Sequence, residues 1–295
     1  SPNLSVGGYY QFRWQSDRLP PSGSYFSTAN IPWGSGQSEV VGIPTGPTTA
    51  DNYILTPGAD QKAKNNGQFG LQLKWRVEDT DLGFYYAQYH DKSGQLYGNL
   101  MNKQVAIIPG QLYGGTWNYV FPENIKTAGF SASQSFGDFN LSAEASVRDN
   151  MPLMSGNMLF GFYPNQPQPR YSTGRTAHLN LSTLATFGPS IIARESSLVG
   201  EIAWNRVLSK NDPDAELDPA RTRDATALQV IYSPSYRQVL PGLDLNVPIG
   251  LRYAVAGNSA ITGAGWGPKG TGSATLGLDG TYLGVWQFAV NYTHY

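Results

Sequence analysis

The sequence predicts an all-β fold: an antiparallel, up-and-down transmembrane β-barrel, with about eleven strands that belong to a larger, even-stranded barrel. Three observations predict it. Apolar and polar residues alternate with period two over several segments, the links between segments are alternately long and short, and aromatic residues gather at segment ends. Residues 1–295 read as one portion of such a barrel.

Composition agrees. Charged residues make up 14% of the chain, against roughly 25% in a typical soluble domain. Mean hydropathy is nevertheless −0.34, so an apolar surface has to come from alternation and not from long apolar runs. No stretch reaches the roughly 18–20 apolar residues of a transmembrane helix. A net charge of −1 leaves no basic footprint for nucleic acid. The opening at Ser1, just before a strand, reads as a processed or internal start.

The first segment sets the pattern. Leu4, Val6, Gly8, Tyr10, Phe12 and Trp14 alternate with Ser5, Gly7, Tyr9, Gln11 and Arg13. At about 3.3 Å per residue, a tilted strand of that length crosses a bilayer. Phe69, Leu71, Leu73, Trp75 and Val77 then alternate with Gln68, Gly70, Gln72, Lys74 and Arg76, and Phe139 to Val147 with Asn140 to Arg148. Leu243, Leu245, Val247, Ile249, Leu251 and Tyr253 oppose Asp244, Asn246, Gly250 and Arg252. Segments at 274–282 and 286–293 close the series, with Asp279 on the polar side. Alternation is less regular in 82–90, 125–136, 176–187, 197–207 and 225–233. In 82–90 both parities are aromatic, so the sequence does not say which faces inward. Pro248 should remove one ladder bond and suggests a bulge.

The links give direction. Residues 16–66, 91–120, 149–174, 208–224 and 254–272 are long. Between them fall 78–81, 137–138, 188–196, 234–242 and 283–284, which are short or of medium length. Short periplasmic turns and long extracellular loops produce this order in a bacterial outer-membrane barrel. The 16–66 link, with Trp33, Tyr53 and several prolines, is expected either to plug the lumen or to project as a recognition surface. Trp75, Tyr282 and Trp286 beside short links, with Trp14 and Trp204 beside long ones, read as two aromatic girdles at the lipid–water boundaries. Eleven strands would leave the last on the outer side, so further strands are expected to complete an even-numbered barrel.

The inward parity carries Arg13, Lys74, Arg76, Glu144, Arg148, His178, Glu201, Asp244, Arg252 and Asp279. Such charges either pair across the interior as structure or line an aqueous path and tune its selectivity. His178, Asn180 and Ser182 share one strand face. Their roughly 7 Å steps oppose the hydrogen-bond reach that a nucleophile and its base need, so an outer-membrane hydrolase is the least supported reading and no catalytic residue is assigned. Asp212, Asp214, Glu216 and Asp218 alternate along one long link. They could offer oxygen ligands to Ca²⁺ or form a solvated charge run. No cofactor is expected.

Four stretches carry a resemblance: Leu82–His90, Ser197–Arg206, Tyr236–Gly250 and the closing Gly280–Tyr295. They are similar to a proteobacterial family catalogued only as a domain of unknown function. That resemblance implies a Gram-negative outer-membrane barrel, porin-like, often encoded near RND-type exporters of hydrophobic compounds. It implies transport of small hydrophobic or amphipathic molecules, with outer-membrane lipid, lipopolysaccharide and envelope or exporter proteins as partners. Members run longer than this chain on both sides of the matching region. Asp91-Lys92-Ser93-Gly94 departs from the more basic, proline-containing stretch expected after His90. The family supplies no catalytic residues. The alternative to passage is a structural or docking barrel of an envelope complex.

Overall fold

The structure, a computed structural model, describes residues 3–18, 20, 24–25, 39–44, 50–108, 111–155, 160–161, 169–214, 217–261 and 265–295. Among them every element is a β-strand. In chain order the strands are β1 (Leu4–Gln11), β2 (Glu39–Pro44), β3 (Ala50–Pro57), β4 (Gln68–Val77), β5 (Thr80–Tyr89) and β6 (Gln95–Ile108). Next come β7 (Gln111–Val120), β8 (Ile125–Phe136), β9 (Phe139–Pro152), β10 (Phe160–Gly161), β11 (Thr173–Phe187) and β12 (Glu195–Lys210). The last are β13 (Asp224–Leu240), β14 (Leu243–Asn246), β15 (Ile249–Gly257), β16 (Gly272–Tyr282) and β17 (Trp286–His294). Among the described residues no helix is long and apolar enough to cross a membrane.

Two sheets result. Twelve strands form an up-and-down antiparallel sheet in which chain neighbours are sheet neighbours, from β1 through β4, β5, β8, β9, β11, β12 and β13 to β17. β14 and β15 are two pieces of one run, since both pair with β13 and β16, so the sheet contains eleven runs. The remaining strands, in the order β10-β6-β7-β3-β2, make a second, five-stranded sheet with some parallel pairs. All five come from long links of the large sheet, where the sequence showed only loops.

Register explains the large sheet. One line of partners runs Leu4–Trp75–Leu82–Ala132–Ala143–Leu181–Ile202–Leu228–Tyr253–Gly272. The line one position away runs Ser5–Lys74–Gly83–Ser131–Glu144–Asn180. Cβ atoms alternate across a strand, so one face is apolar and the other polar. A one-residue slip would swap the two faces. Register also settles β5: Tyr85 and Tyr89 share the face of Lys74, while Phe84 and Tyr86 share that of Trp75. The apolar line climbs as it crosses the sheet. Trp75 stands two positions from the end of β4 at Val77, and Gly272 ten from the end of β16 at Tyr282, a drift of eight positions.

The short links are tight. Phe136 pairs with Phe139 around Gly137-Asp138, and Gly137 takes φ of 56°, the left-handed region that hairpin turns need. Leu240 pairs with Leu243 around Pro241-Gly242. Proline followed by glycine at φ 80° fits a type II turn. The 234–242 link expected from sequence therefore shrinks to two residues.

Pro248 interrupts the ladder without shifting it. Asn246 faces Asp279 and Ile249 faces Leu276, three residues on each side, so no bulge lies there. The missing N–H costs one bond, yet the Pro248 carbonyl still accepts from the Gly277 N–H at 2.8 Å. The bulge appears further along, opposite Thr226 and Ala227, where Val255 is the extra residue.

The buried core lies at one rim. Among the described residues, every buried hydrophobic side chain larger than alanine belongs to a long link or to a strand end beside one. Ile125, Met151, Leu153, Val207, Ala260 and Ile261 form one cluster, and Trp14, Ala63 and Phe121 another. Leu55, Leu96 and Trp117 pack within the five-stranded sheet, and Tyr97, Val120 and Tyr171 beside it. Trp14 is thus a correction to the expected girdle. β1 ends at Gln11, and Trp14 turns inward to pack edge-on against Phe121 at 4.7 Å and donates its indole N–H to the Asp91 carbonyl at 3.1 Å. Arg13 likewise lies beyond the strand and is exposed.

Candidate functional site

The polar face gathers its side chains into a cavity of about 460 Å³ lined by Tyr85, Ser131, Glu144, Arg148, His178, Asn180, Glu201 and Trp266. Alternation on β5, β8, β9, β11 and β12 aims most of these to one side. Asn180 stands opposite Glu144 and donates through Nδ2 to Glu201 Oε1. His178 Nε2 lies 3.0 Å from Thr176 Oγ1, and Tyr85 OH 3.3 Å from Ser131 Oγ. Glu144 and Glu201 are exposed to the cavity, and neither forms an ion pair among the described residues. Convergent polar groups beside aromatic rings are what a small-molecule site presents.

A larger hollow of about 760 Å³ lies at the long-link rim between Val207, Lys210, Asp214, Leu217 and Arg223. It lies under the 211–223 link and not on the polar face. Arg223 is spent on structure there, donating to the carbonyls of Val207 and Leu208 at 2.8–3.2 Å.

The expected interior residues separate into groups. Lys74, Glu144, Arg148, His178, Glu201, Arg252 and Asp279 share the polar face by register. Arg76 and Asp244 have that parity but sit next to short links, in contact with Asp81 at 4.0 Å and Arg237 at 3.2 Å. Arg13 has left the sheet. Of the aromatics, Trp75, Tyr282 and Trp286 stand exposed beside short links, and Trp204 lies near the long-link end opposite Leu179 and Thr226. His178 and Asn180 are engaged with Thr176 and Glu201, while Ser182 lies opposite Ser142 and Glu201.

In the acidic link, the Asp212 carboxylate accepts from the Asp214 N–H at 3.0 Å, and Asp218 pairs with Arg221 at 3.3 Å. No metal-holding group of three such side chains occurs among the described residues. Glu216 and Trp33 lie outside them, as does the side chain of Tyr53.

Trp266 is the lining residue that sequence reasoning missed. Its signal was local: one tryptophan set in Gly265-Trp-Gly-Pro268, an aromatic where a solvated link has no use for one. Arg252, expected on the interior, donates to the Gly265 carbonyl and so holds this link against the polar face.

The long-link rim is held by buried polar contacts. Asn124 N–H donates to His90 Nδ1 at 2.9 Å, so Nε2 carries the hydrogen that reaches the Asn66 carbonyl at 2.9 Å. The Arg170 guanidinium stacks over the Tyr97 ring at 4.6 Å, and the Arg170 backbone N–H donates to Tyr97 OH at 2.7 Å. Burial raises the phenols of Tyr97 and Tyr171, the latter further raised by its neighbour Tyr97. Burial likewise raises the Asp91 carboxyl, although the N–H groups of Ser93 and Lys92 pull it down.

Fold and site together define an all-β protein built on an up-and-down antiparallel sheet with one polar, pocketed face. The chain belongs to the family described as Protein of unknown function (DUF1302), whose model matches residues 1–295. No curated protein and no solved structure matches the chain.

Proposed function

We propose that the large sheet is the wall of an outer-membrane β-barrel through which small hydrophobic or amphipathic molecules pass. The observation that carries this is the apolar face. Val6, Leu71, Phe84, Phe130, Leu141, Leu181, Ile202, Tyr236, Leu251, Leu276 and Val290, one on each run in sheet order, are 36–76% exposed, whereas soluble proteins rarely show contiguous apolar patches beyond a few hundred Å². Lipid is the solvent that suits such a face. The drift of the apolar line supports closure, because a barrel needs tilted strands and a fixed stagger. β1 and β17 each have a free edge among the described strands. Unpaired edges in lipid cost several kcal/mol per group, so further strands complete the wall. Trp75, Tyr282, Trp286 and Trp204 are then the interfacial aromatics, and the polar face is the lumen. The hydrophobic or amphipathic cargo follows from the family resemblance.

Reconstitution of the protein into planar bilayers tests the reading. Stepwise ion conductance is expected, and a persistently silent bilayer would overturn the open path. A docking barrel is the second reading, favoured by the ordered five-stranded sheet that the long links build. It predicts no conductance together with retention of envelope proteins that is lost when 95–120 are deleted.

A further inference from the structure

We infer that the polar-face cavity binds an amphipathic organic cation, its apolar body on Trp266 and its charge toward Glu144 and Glu201. This rests on the passage reading and names the solute class for it. The other lining residues stand on β5, β8, β9, β11 and β12, but Trp266 belongs to the β15–β16 link. In the sheet, β13 lies between β12 and β15, so the link reaches across that strand to bring the indole over the cavity.

The reach is anchored. Ala254 N–H donates to the Thr271 carbonyl at 2.8 Å, Lys269 N–H to Gly257 at 2.7 Å, and Ser259 Oγ to Asn205 Oδ1 at 3.0 Å, besides the Arg252–Gly265 contact. The Trp266 indole N–H is buried and has no acceptor among the described residues, so the ring is placed by the contacts of its link and not by a hydrogen bond of its own.

The charges are laid out asymmetrically. Glu144 on β9 and Glu201 on β12 flank β11, both facing the cavity without an ion pair among the described residues. Arg148 stands four positions along β9 from Glu144, about 13 Å at the rise of an extended strand. The cavity therefore has an acidic end that is not neutralised locally, roofed by an aromatic ring. A cation over an aromatic face gains electrostatically, and a flat apolar body covers the rest of the ring.

The test uses the full protein in lipid vesicles with benzyltrimethylammonium, a water-soluble aromatic cation, and benzenesulfonate, an anion of similar shape. Calorimetry should show saturable binding of the cation and none of the anion. Glu144→Gln with Glu201→Gln keeps shape and removes charge, and should weaken binding at least tenfold. Trp266→Ala should do the same, while Trp266→Tyr, which keeps an aromatic face, should largely restore affinity and so exclude a folding defect. Equal binding of the sulfonate, or unchanged affinity in the double variant, overturns the inference. Cation binding in vesicles that pass no current would uphold the site and overturn passage. Current without cation binding would do the reverse.

Discussion

The large sheet and the long-link rim use the same residue types in opposite ways. In the sheet, leucines and valines point outward and stay exposed, as with Leu71 and Leu276, while polar-face residues such as Thr127, Ser131 and Ser133 of β8 are half-buried. At the rim, Trp14, Leu55, Trp117, Leu153 and Ile261 are buried in ordinary clusters. The sheet is therefore inside-out by the standard of a soluble protein, and the rim is not. On the proposed barrel reading, one chain is built for two solvents: the rim's stability comes from removing apolar surface from water, and the sheet's from its ladder and its surroundings.

The largest expected effect breaks the rim alone. Trp14→Ala removes the ring that packs on Phe121 and the bond to Asp91, and should cost about 3–5 kcal/mol. Hydrogen exchange in lipid vesicles should report faster exchange around 14–18, 61–65 and 119–123, with strands β9, β11 and β12 unchanged. Uniform loss of protection across those strands would mean that the two regions fold as one unit.

Next comes the outer face of the sheet. Leu181→Arg should cost about 2–4 kcal/mol if the face meets lipid at mid-depth, measured by urea unfolding from vesicles. Its neighbour Ser182→Arg points to the polar side near Glu201 and should fall within about 0.5 kcal/mol of wild type. A harmless Leu181→Arg would place that face in water and remove the contrast between the regions.

How much of this was legible in the sequence follows from the same contrast. Leu4 to Gln11, Gln68 to Val77 and Phe139 to Val147 alternate because one face of the sheet is apolar and the other polar, and that difference is written at period two. The count of eleven runs and the order of links were readable for this reason. The five-stranded sheet was not, since a strand such as Gln111–Val120 buries the adjacent Trp117 and Asn118 and shows no clean alternation. Trp14 was misread because its parity continues that of Tyr10 beyond the true end of β1, and parity says nothing about where a chain leaves a sheet. The polar-face residues were found by parity, but Trp266 enters from a link, which has none. Tyr85 needed a register that only its neighbour strands supply.

A smaller effect sharpens the account of Pro248. Gly277 lies opposite, and a Cβ there would come within 2.6 Å of Pro248 Cγ. Gly277→Ala should cost about 1–3 kcal/mol through overpacking, again by urea unfolding. Coupling Gly277→Ala with Pro248→Ala should recover most of the loss. If the double variant recovers nothing, the glycine serves some other contact, such as that with Asn291.

The smallest effect concerns pH at the rim. Burial raises the Asp91 carboxyl above its ordinary 3.8, so the native state holds that proton more readily than the unfolded chain does. The stability from this group is full below pH 3.8 and is lost as pH rises through the raised native value. Asp91→Asn keeps an acceptor for the Ser93 N–H but stays neutral at every pH. The variant's rim should therefore be better protected than wild type at pH 7, with the advantage shrinking as pH falls toward 3.8. Exchange at 91–93, compared between the two proteins across that range, reads the slope directly. A variant less protected at pH 7 than at pH 4, relative to wild type, would mean that hydrogen bonds to the charged carboxylate outweigh its burial.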